Sequence, residues 1–179
     1  MRPSLFYPLA ILIGVLDQVS KTAILHAMPY GASRPALGSF LFLTHTHNTG
    51  GAFSLFQARN SIFILIAAVA MIALVVAYQQ SSRRHLMVSA ALALALGGAI
   101  GNVIDRMRFG YVVDFFDLHG WTNHSIWPIF NIADSSISVG IVILAFHFLL
   151  DKGKAVPADH PEPLEPARPE PAQTERPNA

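Results

Sequence analysis

Two aspartates stand out because almost everything around them is apolar: Asp114 in Val112-Val113-Asp114-Phe115-Phe116-Asp117, and Asp134 in Phe130-Asn131-Ile132-Ala133-Asp134-Ser135. A carboxylate inside an apolar, strand-like run is desolvated unless it finds a partner, and desolvation raises its pKa. Asp134 falls on the first turn of an apolar helical run, where negative charge is favoured. Taken singly, Asp134 reads as a capping carboxylate and Asp114 as a residue on an exposed sheet edge. Brought together in one low-dielectric site, the two cannot both ionise cheaply and would titrate as a coupled pair. Such a pair suits peptide hydrolysis. The ionised member takes a proton from water while the protonated one polarises the scissile carbonyl, with no metal or covalent intermediate required.

Over the first 150 residues the acidic residues can be counted on one hand. Of eleven, six lie from Asp151 onward, and only Asp17, Asp105, Asp114, Asp117 and Asp134 serve the first 150 residues. Asp17 and Lys21 are spaced i, i+4 on an apolar helix, share a face and can pair. They read as an interfacial salt bridge that positions the first helix, with direct chemistry as the alternative. Asn102 and Asp105, three apart, face the same way and suggest a hydrogen-bonding platform. Arg106, next to Asp105, is expected to be held in an ion pair with it. Cysteine is absent, which excludes thiolate chemistry and disulfides. No H-E-x-x-H or G-x-S-x-G motif is present. His45 and His47 would share a strand face as a two-ligand metal pair, but no third ligand is apparent, so no metal site is assigned. His147 reads as a packed or interfacial residue.

These groups need elements to hold them, and composition says which. Charged residues make up 13% of the chain, about half the roughly 25% of soluble domains, so lipid is the solvent that accommodates the apolar surface. A net charge of +1 argues against a nucleic-acid partner. Four segments are long and apolar enough to cross a bilayer: about residues 5–27, 61–78, 86–104 and 131–150. In the third, Gly97 and Gly101 would let a neighbouring helix approach closely, and Gly98 and Gly101 leave room for a backbone or a substrate. The segments between, about 28–60 and 105–130, are too long for turns. Ser39–Asn48 and Tyr111–Leu118 read as strands of a small extracytoplasmic sheet. Trp121 and Trp127 suit the membrane interface. The fold class is therefore an all-α membrane bundle of four transmembrane helices with a small β-sheet, over residues 1–152. Residues 153–179 hold seven of the twelve prolines and read as a disordered cytoplasmic tail. Arg2, Arg83, Arg84, Lys152 and Lys154 fall on one side of four crossings, which puts both termini in the cytoplasm. Arg2 is a single charge and the first run meets Asp17 rather than a cleavage site, so the first helix is expected to be retained.

These blocks, in order, resemble the lipoprotein signal peptidases, the type II signal peptidases of bacteria. They are Asp17 with Ser20-Lys21, Asn48-Thr49-Gly50-Gly51-Ala52-Phe53-Ser54, Gly97 through Arg106, Val112-Val113-Asp114-Phe115, and Phe130 through Ser135. Gly51 stands where the family more often has Ala. The resemblance covers the chain to about residue 150. It implies an inner-membrane aspartic endopeptidase that removes the signal peptide from diacylglyceryl-modified prolipoproteins, just before the lipidated cysteine. It puts the catalytic pair on Asp114 and Asp134, and supporting polar positions on Asp17, Asn48, Gly50, Asn102, Asp105, Arg106 and Asn131, with Lys21 beside them. It also implies a globomycin-type inhibitor at the substrate site. The implied enzyme needs no cofactor, works against membrane lipid and is expected to be a monomer. The competing reading is a small proton-coupled transporter or channel with Asp17, Asp105 and Asp134 as its relay.

Overall fold

Small residues decide which helix lies in the middle. The computed structural model describes residues 5–50, 60–81, 86–120 and 124–151. The Ala- and Gly-rich helix spans Leu86–Phe109 and becomes α3; α1 is Phe6–Ala27, α2 is Asn60–Ser81 and α4 is Ile132–Asp151. All four are long and apolar enough to cross a membrane, yet 61% of the apolar stretch of α3 is buried against 6% of that of α2. Without bulky side chains α3 accepts a neighbour on each side. A Cβ at Gly97 would strike the Ala10 carbonyl of α1, and one at Gly98 the Ala133 carbonyl of α4. Helix–helix contact at backbone distance is how bundles gain packing energy in lipid, where the hydrophobic effect offers nothing between helices. Phe6 and Tyr78, stacked at 3.9 Å, join the start of α1 to the end of α2.

At the other end of the bundle lies a three-stranded antiparallel sheet, ordered β1-β2-β3: Ser33–Leu37, Leu41–Asn48 and Val112–Leu118. The strands expected around residues 39–48 and 111–118 form β2 and β3. Strand β1 went unread because its sequence, Ser-Arg-Pro-Ala-Leu, carries a proline. Pro35 is tolerated there because β1 is an edge strand. The register sets Asn48 opposite Val112 and Thr46 opposite Asp114.

Helix α3 runs five residues past the expected end at 104, to Phe109. Asp105 and Arg106 thus sit inside a helix rather than in the outer segment. Gly110, at φ 82°, then turns the chain into β3, its N–H closing on the Arg106 carbonyl at 3.1 Å. Residues 51–54 of the second sequence block, Arg83, Arg84, Trp121, Lys152, Lys154 and the proline-rich tail lie outside the described residues. Trp127 is exposed.

Candidate active site

Strand β3 delivers Asp114 and the first turn of α4 delivers Asp134, and one side chain joins them. Asn131 donates its amide to Asp114 Oδ1 at 2.6 Å and accepts the Asp134 backbone N–H on its own oxygen at 2.9 Å. Asp134 Oδ2 in turn accepts the Asn131 N–H at 3.3 Å. Asn131 is therefore the N-cap of α4 and Asp134 its third residue, a reciprocal capping box. The capping function suggested for Asp134 and its nearness to Asp114 are one arrangement. Asn102 completes the ring: its amide donates to Asp134 Oδ1 at 2.8 Å, and its oxygen accepts from Asn131 at 3.2 Å.

The far oxygen of Asp114 belongs to β2, where the Asn48 amide donates to Oδ2 at 3.0 Å. Asn48 is oriented by the Gly50 N–H, 3.2 Å from its side-chain oxygen. Asp114 is 1% exposed, so although β3 is an outer strand of the sheet, its carboxyl is not on an exposed edge. Burial, and next to it the charge of Asp134, push its carboxyl up to about 7 against the pull of Asn48, Asn131 and Lys21. A pocket of about 290 Å³ opens beside it, lined by Thr46, His47, Asn48, Thr49, Gly50 and Ile129.

Beneath the pair lies a buried ion cluster that sets where each carboxylate sits. The Lys21 ammonium meets Asp17 at 2.8 Å, Asp105 at 3.0 Å and the Asn102 oxygen at 2.9 Å, one acceptor for each proton. Each of its two carboxylates grips a backbone. Asp17 accepts from the Ala133 N–H at 2.9 Å, and Asp105 from the Val113 N–H at 3.0 Å. The residue immediately before each aspartate of the pair is thus clamped by a carboxylate, and Lys21 holds both clamps. Asp17 is more than an interfacial salt bridge: it ties α1 to the start of α4.

Gln18 was not singled out from sequence, although a glutamine beside an aspartate in an apolar helix was the available signal. Its amide donates to Asp105 at 2.8 Å and to the Gly101 carbonyl at 3.1 Å. Arg106 differs from expectation. Among the described residues it forms no ion pair, because consecutive helical residues point about 100° apart and Asp105 turns toward Lys21. Its guanidinium lies 4.5 Å from the Phe63 ring centroid, with one nitrogen buried and unbonded, and the charges of Asp114, Asp134 and Asp105 all act on it. His45 and His47 do share a face, with rings 5.1 Å apart. His45 Nδ1 is engaged by the Met28 carbonyl, and His47 stacks on Tyr111. Burial, then the neighbouring His45, lowers the His47 pKa. No group of three or more metal-holding side chains occurs among the described residues.

A family model described as signal peptidase (SPase) II matches residues 9–150. The chain belongs to that family. The lipoprotein signal peptidase of Moorella thermoacetica is 42% identical over 149 residues, covering 83% of this chain and 95% of its own. That of Bacillus subtilis is 39% identical over 150 residues, covering 84% and 96%. That of Geobacter sulfurreducens is 37% identical over 162, covering 88% and 100%. Two solved structures, each described as a bacterial membrane enzyme, share the fold. One has a TM-score of 0.80 and 31% identity, over 89% of this chain and 96% of that one. The other has 0.77 and 33%, over 84% and 96%. The signal peptidase II chain is thus a bacterial membrane peptidase of four apolar helices and a small sheet.

Proposed function

We propose that the chain is an aspartic endopeptidase that cleaves diacylglyceryl-modified prolipoproteins just before the lipidated cysteine. The observation that carries this reading is Asn131, whose one side chain bonds both Asp114 and the backbone of Asp134. In the proposed reaction, a water held by the pair gives its proton to the ionised carboxylate and attacks the scissile carbonyl. The protonated carboxyl polarises that carbonyl and then protonates the leaving nitrogen. A raised Asp114 pKa keeps a proton available near neutrality. Arg106, with an unbonded nitrogen, and Asn48, at the pocket beside Asp114, are the donors proposed to hold the substrate backbone.

The lipid-bearing substrate would keep its acyl chains in the bilayer while the peptide meets the carboxylates at the surface. We place that surface on the outer face of the inner membrane, with both termini and the 153–179 tail in the cytoplasm, and take the enzyme to be a monomer. A globomycin-type cyclic peptide is expected to compete for the same site. A proton relay through Asp17, Asp105 and Asp134 has less support, because Asp17 and Asp105 are both committed to Lys21.

The test is cleavage of a diacylglyceryl-modified prolipoprotein peptide by purified protein, comparing wild type with Asp114→Asn and Asp134→Asn. Loss in both variants with retained fold supports the pair. Cleavage surviving in either sinks it, and an inactive but folded wild type sinks the peptidase reading.

A further inference from the structure

On the far side of the ion cluster from the carboxylate pair, α1 and α3 leave a groove open to the bilayer. It has a volume of about 490 Å³ and is lined by Ala10, Ile11, Gly14, Val15, Gln18, Val19 and Thr22 of α1 with Ile100 and Ile104 of α3. That volume lies within the roughly 300–1,000 Å³ of ligand sites. From Ala10 to Thr22 the helix rises about 18 Å, close to the roughly 15 Å of one hydrocarbon leaflet. Among the described residues, none that lines it is acidic.

Its wall toward the site is closed. A Cβ at Gly97 would meet Ala10 of α1, one at Gly101 would meet the Asp17 carboxylate, and Lys21 fills the space between Asp17 and Asp105. A chain in this groove is therefore not reaching for the peptidase pair. One end of the groove is polar and basic. Gln18 lines the groove, and Arg108 Nη1 donates to its side-chain oxygen at 3.3 Å. Arg108 is exposed and also lies 4.8 Å from the centroid of the Phe109 ring. At the same end His26 lies against the Thr22 carbonyl at 2.7 Å.

We infer that this groove is a binding site for one phospholipid of the leaflet on the sheet side, its acyl chain lying along Ile11, Val15 and Ile104 and its anionic headgroup phosphate on Arg108. A cation at the mouth of an apolar slot one leaflet long is complementary to an anionic phospholipid. A zwitterionic lipid offers the same chain, but its own cation offsets the phosphate. A basic residue near an anionic lipid surface is worth about 1 kcal/mol, which corresponds to roughly fivefold in retention.

The experiment is native mass spectrometry of the purified full chain in detergent, titrated with phosphatidylglycerol or with phosphatidylcholine of the same acyl chains. The expected result is one lipid bound per protein, with phosphatidylglycerol retained about fivefold better. Arg108→Gln should bring the two lipids level while Arg108→Lys keeps the preference. Val15→Trp, filling the slot, should reduce retention of both. Equal retention by wild type, a preference surviving Arg108→Gln, or a second copy of the chain bound in place of lipid would each overturn the proposal. Arg108 and Val15 lie outside the carboxylate pair's hydrogen-bonded ring, so peptide cleavage by these variants reports separately on the peptidase reading.

Discussion

Asp114 and Asp117 sit three residues apart on one short strand, both buried, and their protons behave in opposite ways. Asp114 is pushed up to about 7, whereas Asp117 is held below the ordinary carboxylate value. Burial acts upward on both. At Asp117 three donors outweigh it: the Ser125 hydroxyl, His119 at 3.0 Å and the Thr44 hydroxyl at 2.8 Å. At Asp114 two amides and the more distant Lys21 charge work against burial plus a second carboxylate, and they lose. The lesson is that strand position and burial do not make a catalytic acid. Burial raises both carboxyls, and the balance of donors against a neighbouring like charge decides which way each proton goes.

The largest way to break the comparison is to neutralise each member. Asp114→Asn is expected to lower cleavage of the lipopeptide by about 10²–10⁴-fold, the range of general acid–base catalysis. Asp117→Asn should stay within severalfold of wild type, so equal losses in kcat would end the distinction. Next comes Lys21→Met, which strips a cation acting on Asp114 and leaves Asp17 and Asp105 without their ion-pair partner. Breaking a buried pair costs about 3–5 kcal/mol, read as a large drop in melting temperature together with lost cleavage.

A smaller test uses the sign of the pH response. A carboxyl that titrates at about 7 when folded rather than at 3.8 contributes stability fully present below 3.8 and lost as pH rises through 7. Asp114→Asn should therefore melt above wild type at pH 8, with the gap closing toward pH 5. Asp117, held low, contributes stability present above 3.8 and lost as pH falls through its folded value. Asp117→Asn should be less stable than wild type at pH 7 by about 1–3 kcal/mol, the cost of unmet buried hydrogen bonds, with the gap closing in acid. The finest test is Asn48→Ala, which removes a donor that lowers the Asp114 pKa. The corresponding limb of the bell-shaped kcat/KM profile should move up by about one pH unit.

Four helices were legible in the sequence because lipid demands long apolar runs, and both longer strands because β-branched and aromatic residues crowd residues 41–48 and 112–118. The aspartates were legible for the complementary reason: an apolar chain makes each carboxylate conspicuous. What stayed hidden depends on which surfaces meet. That Asp17 would cap an amide 116 residues away, or that Gln18 would reach Asp105, follows from the α1–α3 approach at Gly97 and Gly101 and leaves no local signal. The Arg106–Asp105 pair was misjudged because adjacency in sequence suggested contact where a helix directs the two side chains apart. Strand β1 was hidden by its own composition.

The bond from Ala133 to Asp17 has a consequence for biogenesis. The chain is made from its N-terminus, so Asp17 lacks the Ala133 N–H until a segment 116 residues later has been made. The capping box at residues 131–134 has no counterpart until the last helix enters the membrane. Every earlier intermediate lacks Asp134 and the Asn131 bridge, so the hydrogen-bonded ring around Asp114 cannot close before α4 is made. The segment that completes this ring is also the one whose Ala133 carbonyl seats against Gly98 of α3.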